Sequence, residues 1–260
     1  MSAAETAYYV DTGGGTFEPT RATESPWDRQ AQHGGPPCAL LARAIRAVDP
    51  DPGYRIVRMT VELLGVIPRR PCRVEAAISR AGRRVRMIDA TLFSPDRSVA
   101  TARAWQIMAG GADVPVPAPV EEPVPGPQPQ RYFAGLDEWG YGESIEWRFA
   151  SGGYDEPGPA TVWTRCRLPL LDGEPLHPLD RALLVADSAN GISGVLPQSD
   201  WLFVPPAVTV TVHRYPVGEW VRLSAQTTLA ADGIGSTVGG LGDTRGPIGS
   251  VTQPLLVARR

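Results

Sequence analysis

The sequence predicts an α+β fold in which two antiparallel sheets are each wrapped around one central helix. Three observations predict it: a proline ladder divides the chain, the parts on either side can be laid over one another, and each part carries one apolar helix followed by strand-length segments with turn signals between them. The expected boundaries are 1–109 for the first unit, 110–131 for the linker and 132–260 for the second.

The linker repeats Pro115, Pro117, Pro119, Pro123, Pro125, Pro127 and Pro129, which favours an extended polyproline-like path and leaves too few backbone N–H groups to join a sheet. In the first unit, strands are expected over 8–11 and 15–19. A helix starts after His33-Gly34-Gly35 with Pro36 and Pro37 in its first turn, sets Leu40, Leu41, Ala44, Ile45 and Val48 on one stripe, and stops at Asp49-Pro50. Strands follow over 55–62, 72–79, 84–93 and 98–108, with turns at Ala81-Gly82 and Ser94-Pro95-Asp96. In the second unit, strands are expected over 145–150 and 160–168. A helix starts at Pro178 with acidic Asp180 in its first turn and runs to a stop near Gly191. Strands over 208–213, 220–229, 236–242 and 249–257 complete the repeat, so that Ala39-Leu40-Leu41 lies over Ala182-Leu183-Leu184.

Composition narrows the chemistry. All 25 basic residues among the 260 are arginine, so Schiff-base, pyridoxal-anchoring and P-loop lysines are excluded. Arginine can clamp an anion but cannot act as a base near neutral pH. A net charge of −3 argues against nucleic-acid coating. No apolar run approaches the roughly 20 residues of a membrane span, and the N-terminus has no signal-peptide pattern, so a cytoplasmic protein is expected. Cys38, Cys72 and Cys166 read as buried or half-buried thiols. With His33, His177 and His213 they offer no ligand spacing, and no metal is expected.

Particular residues carry a family resemblance. Trp27-Asp28, with His33-Gly34-Gly35-Pro36-Pro37 running into Ala39-Leu40-Leu41-Ala42-Arg43-Ala44, resembles the N-terminal hotdog domain of acyl-CoA thioesterase-like proteins. Asp187-Ser188-Ala189-Asn190-Gly191, Thr209-Val210-Thr211-Val212-His213-Arg214 with Gly218-Glu219-Trp220, and Gly249-Ser250-Val251-Thr252-Gln253 resemble its C-terminal partner. The resemblance covers nearly the whole chain and implies a tandem, double hotdog. It implies a site like that of type II acyl-CoA thioesterases, where a helix aspartate, a threonine at the start of the next long strand and a glutamine on the last strand hold the attacking water. Asp187 and Gln253 match the first and last. Pro205 stands where the hydroxyl is expected, which puts hydrolysis in doubt, with Thr209 or Asn190 as substitutes.

The residues read the same way chemically. Thioester hydrolysis needs an activated water and donors aimed at the carbonyl oxygen. Asp187 lies late in its helix, where its charge opposes the macrodipole, so a merely structural role is awkward. Asn190 either shares its face or ends the helix with Gly191. Gln253, flanked by Val251 and Leu255, points inward, and Gln106 is its equivalent in the first unit. His33, Gly34 and Gly35 either present backbone donors to a substrate carbonyl or form a tight loop into the helix. Arg80, Arg83, Arg84 and Arg86 make a solvated hairpin tip, or, with Arg83 and Arg84 foremost, a clamp for coenzyme A phosphates. Trp201 and Phe203 line an acyl tunnel or belong to the core. The expected function is hydrolysis of acyl-CoA or a related acyl thioester; the alternative is an acyl-CoA or acyl-lipid binder without chemistry. Coenzyme A enters only as part of the substrate, no other cofactor is expected, and a homo-oligomer is possible through exposed sheet edges.

Overall fold

Both proline-started helices begin where the sequence places them. The computed structural model describes residues 5–260 except 96, 111–113, 117, 119, 134, 135 and 137. Asp96 of the expected turn, and Pro117 and Pro119 of the ladder, therefore lie outside the described residues. The first half contains β1 (Tyr9–Gly13), β2 (Thr16–Pro19), α1 (Gly35–Ala47), β3 (Tyr54–Leu63), β4 (Cys72–Arg80), β5 (Val85–Phe93) and β6 (Ser98–Met108). The second contains a single turn α2 (Gly140–Glu143), then β7 (Ile145–Gly153), β8 (Glu156–Cys166), α3 (Pro178–Ala186), α4 (Ala189–Ile192), β9 (Trp201–Val204), β10 (Ala207–Val212), β11 (Trp220–Leu229), β12 (Ile234–Asp243) and β13 (Gly246–Arg259).

Two expectations are corrected. The strands form one antiparallel sheet, in the order β1-β2-β4-β5-β6-β3-β10-β13-β12-β11-β8-β7, with β9 paired to β13. Two separate sheets are not seen, because β3 and β10 pair directly, Thr60 opposite Thr209 and Val61 opposite Val208. Read from either end the order repeats, so the duplication survives while the sheet is shared. The second helix also does not run unbroken to Gly191: it stops at Ala186 and resumes at Ala189.

Alternation sets the faces. In β5 every second residue, from Arg86 to Leu92, is buried, and in β10 Val208, Val210 and Val212 are buried while Thr209 and Thr211 are not. α1 packs on β4, β5 and β6, α3 packs on β8, β10 and β11, and the two helices pack on each other. Cys38 and Cys72 are buried and Cys166 half-buried, all as free thiols. The linker forms no strand among its described residues, yet it covers a sheet edge: Gln128 donates through Nε2 to the Phe149 carbonyl and accepts the Phe149 N–H, both at 2.8 Å, along edge strand β7. Among the described residues no helix is long and apolar enough to cross a membrane.

Candidate active site

The start of α1 meets the end of α3. Glycine permits this contact. A Cβ on Gly35 would lie 2.0 Å from the Leu184 carbonyl oxygen, and one on Gly34 would lie 2.6 Å from Asp187 Oδ2. Close contact therefore calls for both glycines, with the Leu184 backbone at Gly35 and with the Asp187 side chain at Gly34. Asp187 follows the last residue of α3. Its charge opposes the dipole of its own helix, but its Oδ2 accepts the Gly34 N–H at 3.0 Å, at the positive end of α1. The awkwardness seen in sequence is thus answered by a different helix.

Gln253 completes the hold. Its Nε2 donates to Asp187 Oδ1 at 3.2 Å and to the Asp187 carbonyl at 3.3 Å, while its Oε1 accepts the Asn190 N–H at 3.1 Å. Asn190 Nδ2 is in turn given to the Phe203 carbonyl at 2.8 Å. Both Gln253 and Asn190 are buried, with every amide end of Gln253 committed, so Gln253 orients the carboxylate from behind.

His33 lies beside this pair. Its Nδ1 is 3.4 Å from Asp187 Oδ2, yet it accepts the Gly35 N–H at 3.1 Å. An acceptor nitrogen cannot also donate to the carboxylate, so the two make no hydrogen bond and the ring proton belongs on Nε2. Burial pushes the imidazole below its ordinary range, against the raising effect of Asp187. The ring stacks on Tyr141, centroids 3.8 Å apart and planes 7° apart.

Tyr141 and Ser188 were not singled out from sequence. The break after Ala186 takes the Leu184 carbonyl out of the helical ladder, because the Ser188 N–H bonds Val185 instead. The Tyr141 hydroxyl donates to that carbonyl at 2.7 Å, and the Ser188 hydroxyl lies 2.9 Å from the same phenol oxygen. With the Tyr141 proton used, both contacts are satisfied only if Ser188 donates to Tyr141, which leaves Ser188 Oγ as an acceptor. Tyr141 belongs to a one-turn helix with no periodicity to reveal it, but Ser188 stands next to Asp187 in the matched motif.

These residues open on a cavity of about 530 Å³. Asp187, Ser188, Asn190, His33 and Gly34 form part of its wall; Gln253 does not. Most of the remaining wall is apolar, including Leu63, Ile67, Leu202, Val204 and Leu256, with Phe133, Trp139 and Tyr154 on an aromatic side. Among the described residues no arginine lines it, and its only formal charges are Asp28 and Asp187. Pro205 and Pro206 are on the wall, so the position matched to the family hydroxyl has none.

The remaining candidates fall elsewhere. Thr209 is on the opposite sheet face from the helices, its Oγ1 3.0 Å from Thr60 Oγ1, and cannot supply the missing hydroxyl. Arg83 and Arg84 are exposed at the β4–β5 turn and do not line the cavity, whereas Arg86 is buried and tied to Gln106 and Asp49. Phe203 is buried in a small cluster with Leu255 and Val257, and Trp201 packs against that cluster, so both belong to packing.

Comparison with known proteins agrees with this architecture. Residues 23–107 match the model of the acyl-CoA thioesterase N-terminal domain and residues 116–257 that of the acyl-CoA thioesterase C-terminal domain. A conserved protein with hot dog fold from Alicyclobacillus acidocaldarius superposes with a TM-score of 0.72 at 18% identity, over 96% of this chain and 95% of that one. The acyl-CoA thioesterase II TesB2 of Mycobacterium marinum does so with a TM-score of 0.66 at 15% identity, over 97% and 95%. The TesB protein of Mycobacterium avium subspecies paratuberculosis gives 0.67 at 16%, over 96% and 95%. No curated protein matches the sequence. At such identities the structural likeness shows the hotdog fold alone, but the two domain models together span most of the residues, and the chain belongs to the acyl-CoA thioesterase family.

Proposed function

We propose that the protein hydrolyses acyl-CoA or a related acyl thioester, with Asp187 as the base that activates water. The observation that carries this reading is a buried carboxylate facing a largely apolar cavity, with no arginine within ion-pair distance among the described residues and only the His33 imidazole, an acceptor at Nδ1, beside it. A buried charge without a counter-ion is costly, and such groups concentrate at functional sites. Here the Gly34 N–H and the Gln253 amide hold it in place.

The chemistry closes in two steps. A water gives one hydrogen bond to Asp187 and the other to Ser188 Oγ, turning its lone pair to the thioester carbon. As the C–O bond forms, Asp187 takes the proton and the carbonyl oxygen becomes an oxyanion. Collapse breaks the C–S bond, the electron pair leaves on sulfur, and Asp187 returns its proton to the thiolate, releasing acid and thiol. Gln253 is a positioning residue in this scheme. The apolar cavity, within the ~300–1,000 Å³ usual for small-molecule sites, takes the acyl part. A phosphate has no cationic partner on its walls, so the carrier stays outside. We also place the chain as two hotdog units, 1–109 and 132–260, in tandem through the linker, in cytoplasmic work without a metal.

Thiol release from acyl-CoAs of short, medium and long chain tests the reading. Turnover that disappears in Asp187→Ala supports it; absence of turnover at every length, or full activity in that variant, overturns it. Pro205 and Pro206 on the cavity wall favour a second reading, a binder without chemistry. Tight acyl-CoA binding by wild type with no thiol released would establish that one instead.

A further inference from the structure

We propose that His33 is a catalytic residue of this hydrolysis: its Nε2–H donates to the carbonyl oxygen as that atom becomes an oxyanion. The inference rests on the thioesterase reading and adds the electrophilic half of the site.

The usual source of such a donor, the start of a helix, is used up here. The Gly34 N–H is given to Asp187 and the Gly35 N–H to His33 Nδ1. Pro36 and Pro37 have no N–H, and the Cys38 N–H bonds the Gly34 carbonyl at 3.1 Å. Four neighbouring side-chain donors already hold protein acceptors: Gln253 gives both amide protons to Asp187, Ser188 its hydroxyl to Tyr141, and Asn190 and Gln32 each one of two amide protons, to the Phe203 and Pro68 carbonyls.

His33 Nε2 differs. The Gly35 contact fixes the tautomer that puts the proton on Nε2, and among the described residues this N–H has no acceptor. The His33 side chain keeps 9% of its surface exposed, and His33 lines the cavity. The residue is also held before any substrate arrives, by the stack of its ring on Tyr141 and by its backbone N–H, which donates to the Thr23 carbonyl at 2.7 Å. An uncharged imidazole fixed in this way donates without reorganising, and it does not neutralise the neighbouring base by becoming a cation. No proton leaves His33 in the step: the hydrogen bond strengthens as charge gathers on oxygen and relaxes when the C–S bond breaks.

Two variants separate this role from packing. His33→Phe keeps an aromatic ring against Tyr141 and removes the donor; His33→Gln supplies an amide donor instead. The expected result is a fall in kcat of about 10²–10³-fold in His33→Phe, with KM for acyl-CoA and the melting temperature unchanged, and partial recovery of kcat in His33→Gln. Full kcat in His33→Phe while Asp187→Asn is inactive overturns this assignment and leaves the hydrolase standing. Equal losses in both His33 variants with lowered melting temperatures overturn it in favour of packing. No thiol release by wild type overturns both proposals.

Discussion

The molecule contains two versions of one junction, and they are finished differently. Where α1 begins and α3 ends, His33 accepts a backbone N–H two residues on, and Asp187 meets Gly34 and Gln253 beside a cavity. Where α3 begins and α1 ends, His177 likewise accepts the N–H two residues on, from Leu179 at 3.2 Å. There the buried carboxylate is Asp180, and Arg46 closes on it with two contacts of 2.7 Å. Arg43 pairs with Glu174 nearby, and Arg86 ties Asp49 to Gln106, the counterpart of Gln253. The second junction has an arginine for each of these acids; the first has none for Asp187. The difference is one of partners: Asp180 is held by a guanidinium, whereas Asp187, the proposed base, is held by backbone and amide donors.

Exchanging the asparagine form between the two acids gives the largest effects. Asp187→Asn should cost about 10³-fold in thiol release, within the range of general-base loss, with a stability loss of about 1–3 kcal/mol because the new NH2 group must face the Gly34 N–H or the Gln253 amide. Asp180→Asn should leave turnover per folded molecule intact but lower stability by about 3–5 kcal/mol, since it strands Arg46 beside a group without charge; urea unfolding measures it. If both variants lose activity and stability alike, the two junctions are not different in kind.

Next in size is the spacing at the open junction. A Cβ at Gly34 would come within 2.6 Å of Oδ2 and 2.9 Å of Cγ of Asp187. Gly34→Ala should displace the carboxylate and lower kcat about 10²-fold, visible in steady-state kinetics on a folded variant.

A smaller effect belongs to the closed junction. Burial, then Arg46 and Arg181, push His177 from 6.5 to about 4. Between these values the unfolded chain binds a proton that the folded chain does not, so stability falls as pH drops from 6.5 and the loss is complete below 4. His177→Gln should flatten that part of the stability profile, read as denaturation midpoints at pH 7 and pH 4.5. Smallest of all, Arg83→Ala and Arg84→Ala should leave KM for acyl-CoA unchanged, because both stand exposed at a turn that does not line the cavity; a raised KM would restore the clamp.

What the sequence revealed followed from local signals. Proline start, apolar stripe and Asp49-Pro50 stop lie within one segment, and α1 forms there. The order of strands was equally legible, since each carries its own alternation and turn. Period-two alternation also sends Thr209 away from Val208 and Val210, so its place outside the site was readable. Distant partners were not. The Leu184 carbonyl left free by the break after Ala186 finds its hydroxyl 43 positions away, and Asp187 finds its N–H donor 153 positions away. The union of the two sheets rests on the β3–β10 pairing, which no single segment announces. β9, at four residues, is too short to show a period.

That pairing has a consequence for how the chain comes into being. From the completion of β6 until Ala207–Val212 has been synthesised, β3 is an open edge of a six-stranded sheet, an interval that takes in the whole of the linker and more than half of the second unit. The seam is therefore a late, long-range event, slow by its topology and exposed to wrong edge pairing while it waits. The residues proposed for catalysis are divided across the same seam, His33 and Gly34 on one side and Asp187, Ser188 and Gln253 on the other. On the proposed reading, activity appears only after the last strand has docked, and two separately made halves would regain it only by rejoining along β3 and β10.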